Sequence, residues 1–133
     1  MSVIVFWDND EKTILRYHFS GRWTWDEYLE SLQSGRKMMA SVSHYVCILN
    51  DMHETLFLPP NFVTLAKNVI ESRPDNTGLA IFYTSSQFFK AMYRVLENLL
   101  PEVPTNYLIA TTEEDAYDRL NTWLAKNSMS SQR

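Results

Sequence analysis

The stretch Gly21–Tyr28 (GRWTWDEY) marks a change of pattern, and the alternation that follows it decides the fold. Before it lie two runs typical of strands, at residues 3–7 and 13–20. After it, segments typical of helices and strands alternate: helix, strand, helix, strand, helix, strand, helix. This order is typical of a compact α/β domain in which crossover helices cover a largely parallel sheet.

The first helix has a complete start signal. Thr24 and Glu27 have the spacing of a capping box, in which each side chain accepts a hydrogen bond from a free backbone amide. The helix is predicted to run to about Met39. Its apolar residues predict one buried stripe, formed by Trp25, Tyr28, Leu29, Leu32 and Met39.

Three short apolar runs follow, as expected for strands that are covered on both faces. They are predicted at residues 45–49, 79–83 and 107–110, with helices from the Pro59-Pro60 pair to Arg73, from Ser85 or Ser86 to Leu100, and from a Thr111–Glu114 capping box to residue 126. Residues 1–126 are thus predicted to form one domain, and residues 127–133 a disordered polar tail.

Composition narrows the class of protein. The chain has 133 residues, 45% of them hydrophobic, and a net charge of -4 with scattered basic residues, which argues against nucleic-acid binding. Its single cysteine, Cys47, excludes an internal disulfide and a cysteine-based zinc cluster. No stretch resembles a signal peptide or a membrane span. We therefore predict a cytoplasmic protein with no membrane partner and no cofactor.

The element order resembles the STAS domain, the SpoIIAA-like fold of bacterial anti-sigma-factor antagonists. The segments Gly21–Trp25 and Leu49–Asp51 look like an uncharacterised bacterial branch of STAS-like proteins. The resemblance covers residues 3–124. It implies a five-stranded, mixed, mostly parallel sheet with four helices in the order β-β-α-β-α-β-α-β-α, and it implies non-enzymatic binding.

One family feature is missing. In the antagonists, the strand corresponding to residues 45–49 ends in an Asp-Ser-Ser-Gly type motif whose serine is phosphorylated and switches binding to a partner kinase. This chain continues Asp51-Met52-His53-Glu54, and no serine lies between Asp51 and Pro59. Only Thr55 could accept phosphate there, so the usual phosphorylatable serine motif is absent.

The residues after the first central strand are the first candidate site, because ligands of open α/β sheets bind at the carboxyl ends of strands. Asp51, His53 and Glu54 could form an acid/base or metal cluster, or they could be turn-forming residues of a solvated loop. His53 and Glu54 are adjacent in sequence, so their convergence is not guaranteed. The spacing of a helical metal motif is absent, and we predict no metal.

The helix near residues 85–100 carries the second candidate site. Ser85 and Ser86 either cap this helix or bind an anion or phosphate at its N-terminus. Phe88, Phe89 and Tyr93 belong to an apolar surplus that extends beyond one stripe. We predict an interface here, for a protein partner or for a second copy in a homodimer.

Other chemically active side chains are predicted to be structural. Cys47 lies in the middle of an apolar strand, where a thiol is a poor nucleophile. His18 alternates onto the wetter face of its strand, and His44 precedes a strand. Neither histidine has a partner close by in sequence.

We therefore predict a non-enzymatic, STAS-like protein-interaction or regulatory module. One alternative is a sensor of an apolar small molecule, which predicts a closed cavity of several hundred Å3 near Trp25, Phe57 and Phe62. The other is a small enzyme, which requires Asp51, His53 and Glu54 to converge.

Overall fold

The protein is α/β, and its described residues form five strands and four helices in the predicted order. The computed structural model describes residues 2–100 and 106–131, and side chains as far as residue 127. The elements are β1 (Ser2–Trp7), β2 (Ile14–Gly21), α1 (Trp25–Ala40), β3 (Val46–Thr55), α2 (Phe62–Glu71), β4 (Thr77–Tyr83), α3 (Gln87–Leu99), β5 (Tyr107–Ala110) and α4 (Glu113–Ser131).

The strands form one sheet in the order β1-β2-β3-β4-β5. β1 and β2 form an antiparallel hairpin, and β2 to β5 are parallel to one another. The prediction of a mixed, mostly parallel sheet is confirmed. β3 is the central strand, so its side chains meet neighbours from both β2 and β4.

Alternation along the strands builds two separate cores, one on each face of the sheet. One face is packed against α1, α2 and α3, through side chains such as Tyr17, Met52 and Phe89. The other face is packed against α4 through Cys47, Leu49, Leu120 and their neighbours. We call the second face the α4 side. α4 packs against β3, β4 and β5, and Ile4 and Phe6 of β1 are exposed.

The start of α1 confirms the predicted capping box. The Thr24 hydroxyl accepts from the Glu27 amide, and the Glu27 carboxylate accepts from the Thr24 amide. One member of the predicted stripe differs, because Leu29 is 45% exposed. The buried positions of α1 are Tyr28, Ser31, Gly35 and Met39. Ser31 and Gly35, and not Leu29, therefore complete the buried face between Tyr28 and Met39.

β3 is the main difference in secondary structure, because it runs to Thr55 and not only to residue 49. The polar residues that were predicted to be a loop are therefore sheet residues. A polar run predicts a loop only if its side chains meet water. Here they meet polar partners on β2 instead.

The last helix also differs from the prediction at both ends. The Thr112 hydroxyl, and not that of Thr111, accepts from a first-turn amide, that of Asp115. α4 then continues to Ser131, past residue 126, because no glycine or proline interrupts it. Residues 132 and 133 of the predicted tail lie outside the described residues. In the described part of the chain no helix is long and apolar enough to span a membrane.

Candidate functional site

A cluster of ionisable side chains lies on the α4 side of the sheet, near the carboxyl ends of β2 and β3. β2 contributes Arg16 and His18, and β3 contributes Asp51, His53 and Glu54. We call these five residues the β2–β3 cluster. Asp51, His53 and Glu54, which the sequence singled out, are therefore brought together by the structure.

A β-bulge explains how two adjacent residues of β3 reach the same cluster. His18 pairs with Asp51 and Ser20 pairs with Glu54, so two residues of β3 lie opposite one residue of β2. Neighbours in a regular strand point to opposite faces, and a bulge interrupts that alternation. His53 and Glu54 consequently both contact His18 or Asp51 on the α4 side.

Asp51 is the centre of the cluster and its side chain is fully buried. Oδ2 accepts from Arg16 at 2.5 Å and contacts Nδ1 of His18 at 2.9 Å, while Oδ1 contacts Nδ1 of His53. Burial alone would raise the pKa of this carboxyl. The hydrogen bonds from His53, Arg16 and His18 outweigh that effect and hold the pKa of Asp51 below its usual value.

Arg16 connects the cluster to the start of α4 and to the hairpin. Its guanidinium donates to the Tyr117 hydroxyl at 2.8 Å and to Glu113 at 3.2 Å, and the Tyr117 hydroxyl donates to Asp8 at 2.7 Å. Burial, together with the hydrogen bond to Asp8, raises the pKa of Tyr117 to about 12. Tyr117 therefore stays a hydrogen-bond donor and links Arg16 to Asp8.

The outer side of the cluster is open. The His53 ring stacks on Tyr83 of β4 with ring centroids 4.9 Å apart. The side chains of His53 and Glu54 are 38% and 53% exposed, while that of His18 is 24% exposed. Solvent therefore reaches the cluster from the side of His53 and Glu54, whereas the Nδ1 edges of both histidine rings are turned towards buried Asp51.

Sequence reasoning missed two members of this cluster, Arg16 and His18. His18 was predicted to be structural because no partner lies near it in sequence. Its partners, Asp51 and Glu54, are 33 and 36 positions away. The available signal was the period of two in β2, which puts Arg16 and His18 on one face of the strand.

Two further residues that the sequence raised, Cys47 and His44, have structural surroundings. Cys47 is buried, and that burial raises the pKa of its thiol to about 12. His44 bonds the Lys12 carbonyl through Nε2 at 2.8 Å.

At the start of α3 the two predicted serines differ in role. The Ser86 hydroxyl accepts from the Phe89 amide at 3.1 Å and caps the helix. Ser85 lies just before the cap and is exposed. Phe89 and Tyr93 are only 2% and 7% exposed, and so belong to the core and not to a surface for a partner.

One strip of the exposed surface of α3 is nevertheless apolar. Phe88, Met92, Val95 and Leu99 follow one another at helical spacing, and we call them the α3 stripe. Phe88, Val95 and Leu99 are 61%, 44% and 52% exposed. The predicted interface residues Phe89 and Tyr93 are therefore buried, and the exposed apolar residues of α3 are those of the α3 stripe, which begins one position earlier at Phe88.

A groove of about 430 Å3 adjoins the beginning of the α3 stripe. It lies between the segment after β3 and the start of α3, and Leu56, Phe57 and Phe88 line it. Leu56 and Phe57 are themselves 70% and 55% exposed. Arg22 lies 3.9 Å from the centre of the Phe57 ring and holds it by a cation–π contact.

A smaller cavity lies on the opposite side of the sheet from α4, between the sheet and α1 and α2. Trp25 and Phe62 line it together with Tyr17, Arg36 and Asn50. Its volume is about 80 Å3, well below the roughly 300–1,000 Å3 of small-molecule pockets. Phe57 does not line this cavity, and together with Trp25 it lines a separate, open depression of about 260 Å3. Neither space is a closed cavity of several hundred Å3 that joins Trp25, Phe57 and Phe62.

Comparison with known proteins supports the architecture. Neither a protein-family model nor a curated protein matches the sequence. Among solved structures, an uncharacterised DUF3478-family protein with a SpoIIAA-like fold from Shewanella loihica PV-4 matches with a TM-score of 0.66. The match covers 90% of this chain and 93% of that one at 13% identity. The chain therefore has a SpoIIAA-like, or STAS-like, fold.

Proposed function

We propose that this protein is a non-enzymatic, STAS-like interaction module with a regulatory role, and that its protein partner binds to the α3 stripe. The observation that carries this proposal is the exposure of Phe88, Val95 and Leu99 on one face of α3. Apolar side chains in a row on a surface helix have a free-energy cost in water, which a partner with an apolar surface removes.

The groove beside the stripe extends the apolar surface. Leu56 and Phe57 continue it from Phe88 across the carboxyl ends of the strands. Thr84 and Ser86 lie in the same groove and provide hydroxyl groups beside it. An apolar centre with polar groups around it is the usual composition of a protein–protein interface.

The absence of a serine between Asp51 and Pro59 distinguishes this module from phosphorylation-switched antagonists. We propose that affinity here depends on apolar contact with the α3 stripe and not on a phosphate at the end of β3. A second copy of the chain is one such partner, and it would form a homodimer through the same face.

Affinity capture with tagged protein from lysate of its source organism tests the proposal, together with the molar mass in solution by light scattering. Wild-type protein should retain a stoichiometric protein, or should dimerise. Val95→Asp should abolish that association without lowering the midpoint of thermal unfolding, since Val95 is 44% exposed.

The matched control is Ile4→Asp, which makes the same kind of change at an exposed residue of β1, where Ile4 is 51% exposed. It should leave the association intact. Equal loss of association in Ile4→Asp and Val95→Asp would contradict the assignment of the interface to α3, because the effect would not be specific to that helix. A monomeric wild type that retains no protein would contradict the proposal altogether.

A further inference from the structure

The small cavity between the sheet, α1 and α2 contains polar groups that the interaction surface on α3 does not explain. Arg36 of α1, Asn50 of β3 and Tyr17 of β2 all line it. Asn50 and Tyr17 are only 7% and 2% exposed, and neither side chain has a hydrogen-bond partner among the described residues. Polar groups in a core cost free energy unless a partner satisfies them. The cavity is where such a partner can enter.

Arg36 has an incomplete set of partners. Its Nη2 donates to the Val69 carbonyl at 3.2 Å and to the Ser72 hydroxyl at 3.1 Å, and both acceptors are neutral. Its Nε is buried and has no partner among the described residues. No ion pair between described residues includes Arg36. A guanidinium is a cation with five N–H donors, so this one lacks both an acceptor and a negative charge.

Three phenol hydroxyls lie near this guanidinium. Burial raises the pKa of Tyr17 to about 12, and the charge of Arg36 opposes that rise. Burial is also the largest cause of the raised pKa of Tyr28 and of Tyr107, and the same charge opposes it in both. A charge acts on a hydroxyl in this way only over a short distance. Tyr17, Tyr28 and Tyr107 all line the cavity, so its donors are grouped around Arg36.

The lining of the cavity has positive charge and no negative charge. Arg73, which is exposed, adds a second guanidinium to it. Among the described residues that line the cavity there is no aspartate and no glutamate. An anion would supply the acceptor and the charge that Arg36 lacks, and hydrogen bonds between ionised partners are about twice as strong as neutral ones.

The size and the apolar part of the lining limit the kind of anion. The volume is about 80 Å3, below the roughly 150 Å3 of an engineered cavity that takes benzene. Trp25, Ile48 and Phe62 belong to the apolar part of the lining. A strongly hydrated ion such as sulfate would lose its water against these side chains without replacement. A carboxylate on a short carbon chain has its charge at one end and is apolar elsewhere, and so it matches both parts of the lining.

We propose that this cavity binds a small organic carboxylate of about two to four carbon atoms, with the carboxylate group beside Arg36. The hydroxyls of Tyr17 and Tyr28 and the amide of Asn50 provide further hydrogen bonds that orient the ligand. No residue of the α3 stripe lines the cavity, so this site is separate from the proposed interaction surface.

Thermal unfolding and NMR of the arginine Nε–H groups, both with added sodium propionate, test this site. We expect a saturable rise in the midpoint of unfolding. Sodium chloride at equal ionic strength should not reproduce it, and neither should propionamide, which has the shape of propionate without its charge. The Nε–H resonance of Arg36 should shift with the same saturation curve.

Two variants change the cavity in independent ways. Arg36→Met removes the guanidinium and should weaken propionate binding about tenfold or more, the usual effect of losing a hydrogen bond to a charged group. Ala66→Leu leaves Arg36 in place, fills the cavity from α2 with an apolar side chain and should abolish binding. The matched control is Arg119→Met, which removes an exposed arginine of α4 and should bind propionate as the wild type does.

Three results would overturn the proposal. If propionate stabilises the wild type no more than sodium chloride does, the cavity holds only water. Equal stabilisation by propionamide would show that an apolar shape fits the cavity without any need for an anion. Equal propionate affinity in Arg36→Met and the wild type would remove Arg36 from the site.

Discussion

A buried carboxylate at the centre of the sheet is unusual, and Asp51 is the residue on which the described polar contacts converge. Its two oxygens contact one guanidinium and two imidazole rings. Desolvation disfavours the ionised form of Asp51, and these three hydrogen bonds favour it by more. Side chains that depend so strongly on one another are sensitive to the loss of any one of them.

Asp51→Asn should therefore lower the free energy of unfolding by about 3 kcal/mol at pH 7, since it leaves Arg16 beside a neutral amide. Because the native pKa of Asp51 is lowered, its contribution is complete above the unfolded pKa of about 3.9. That contribution is lost as the pH falls through the native pKa. Urea unfolding of both proteins between pH 7 and pH 3 should show the difference shrinking.

The control is Asp118→Asn, which changes an exposed carboxylate on α4. It should alter the free energy of unfolding by less than about 0.5 kcal/mol at every pH. A constant difference between Asp51→Asn and wild type across this pH range would mean that the ionisation of Asp51 does not stabilise the fold.

At the scale of the elements, α1 packs closely against the sheet at Gly35. A methyl group built on Gly35 would overlap the Tyr17 hydroxyl and lie 3.3 Å from Leu15. Tyr17 is only 2% exposed and packs edge-on against Tyr28. The ring has little room to move, so the absence of a side chain at Gly35 sets the distance between α1 and β2.

Gly35→Ala should consequently destabilise the protein by about 1–3 kcal/mol, the usual cost of an overpacked core. This is notable because alanine favours helix over glycine by about 1 kcal/mol. The control is Ser34→Ala, one position earlier on the exposed face of α1. Chemical denaturation of both should show a loss only for Gly35→Ala, and a stabilised Gly35→Ala would contradict this packing argument.

Element order was predictable from the sequence because apolar periodicity reports which residues are buried. β5 was predicted at its observed bounds, and the Thr24–Glu27 capping box marked the start of α1. The predicted third strand ends at Leu49, whereas β3 ends at Thr55. Periodicity cannot distinguish a polar residue in water from a polar residue that has a polar partner in the sheet. The polar partners of Asp51 on β2 are Arg16 and His18. They are far from Asp51 in the sequence, so a local pattern does not reveal that β2 and β3 pair.

The candidate sites were also predictable only in part, because residue type is visible in the sequence and three-dimensional proximity is not. Asp51, His53 and Glu54 were identified by residue type, but their convergence depends on a bulge that no local pattern reveals. On α3 the excess of apolar residues was visible in sequence. Which of Phe88 and Phe89 faces outward depends on how the helix is rotated against β4, and Ser86 caps it in the observed orientation.

At the scale of the molecule, the two faces of the sheet are covered unequally. α1, α2 and α3 share one face, whereas α4 is the one described helix on the other. Its first turns support Arg16 through Tyr117, and its middle fills the core with Leu120. The stability of the domain therefore depends on the first half of α4 more than on its end.

Ending the chain after Asn127 should leave the free energy of unfolding unchanged, because the last inward apolar residue of the predicted helix is Leu124. Leu120→Ala should instead cost about 2–5 kcal/mol, since Leu120 is fully buried. Thermal and urea unfolding of the two variants test this contrast. A large loss in the shortened protein would show that residues 128–133 contribute to the fold.

The bulge in β3 also means that the β2–β3 cluster can be gained or lost by a change of a single codon. Removing Met52 would restore regular pairing with β2, would keep Glu54 opposite Ser20 and would turn His53 to the opposite face of the sheet, away from Asp51. The hairpin and the α3 stripe would be untouched. In a lineage of such proteins, the two surfaces could therefore be inherited separately, one by substitution and the other by insertion or deletion.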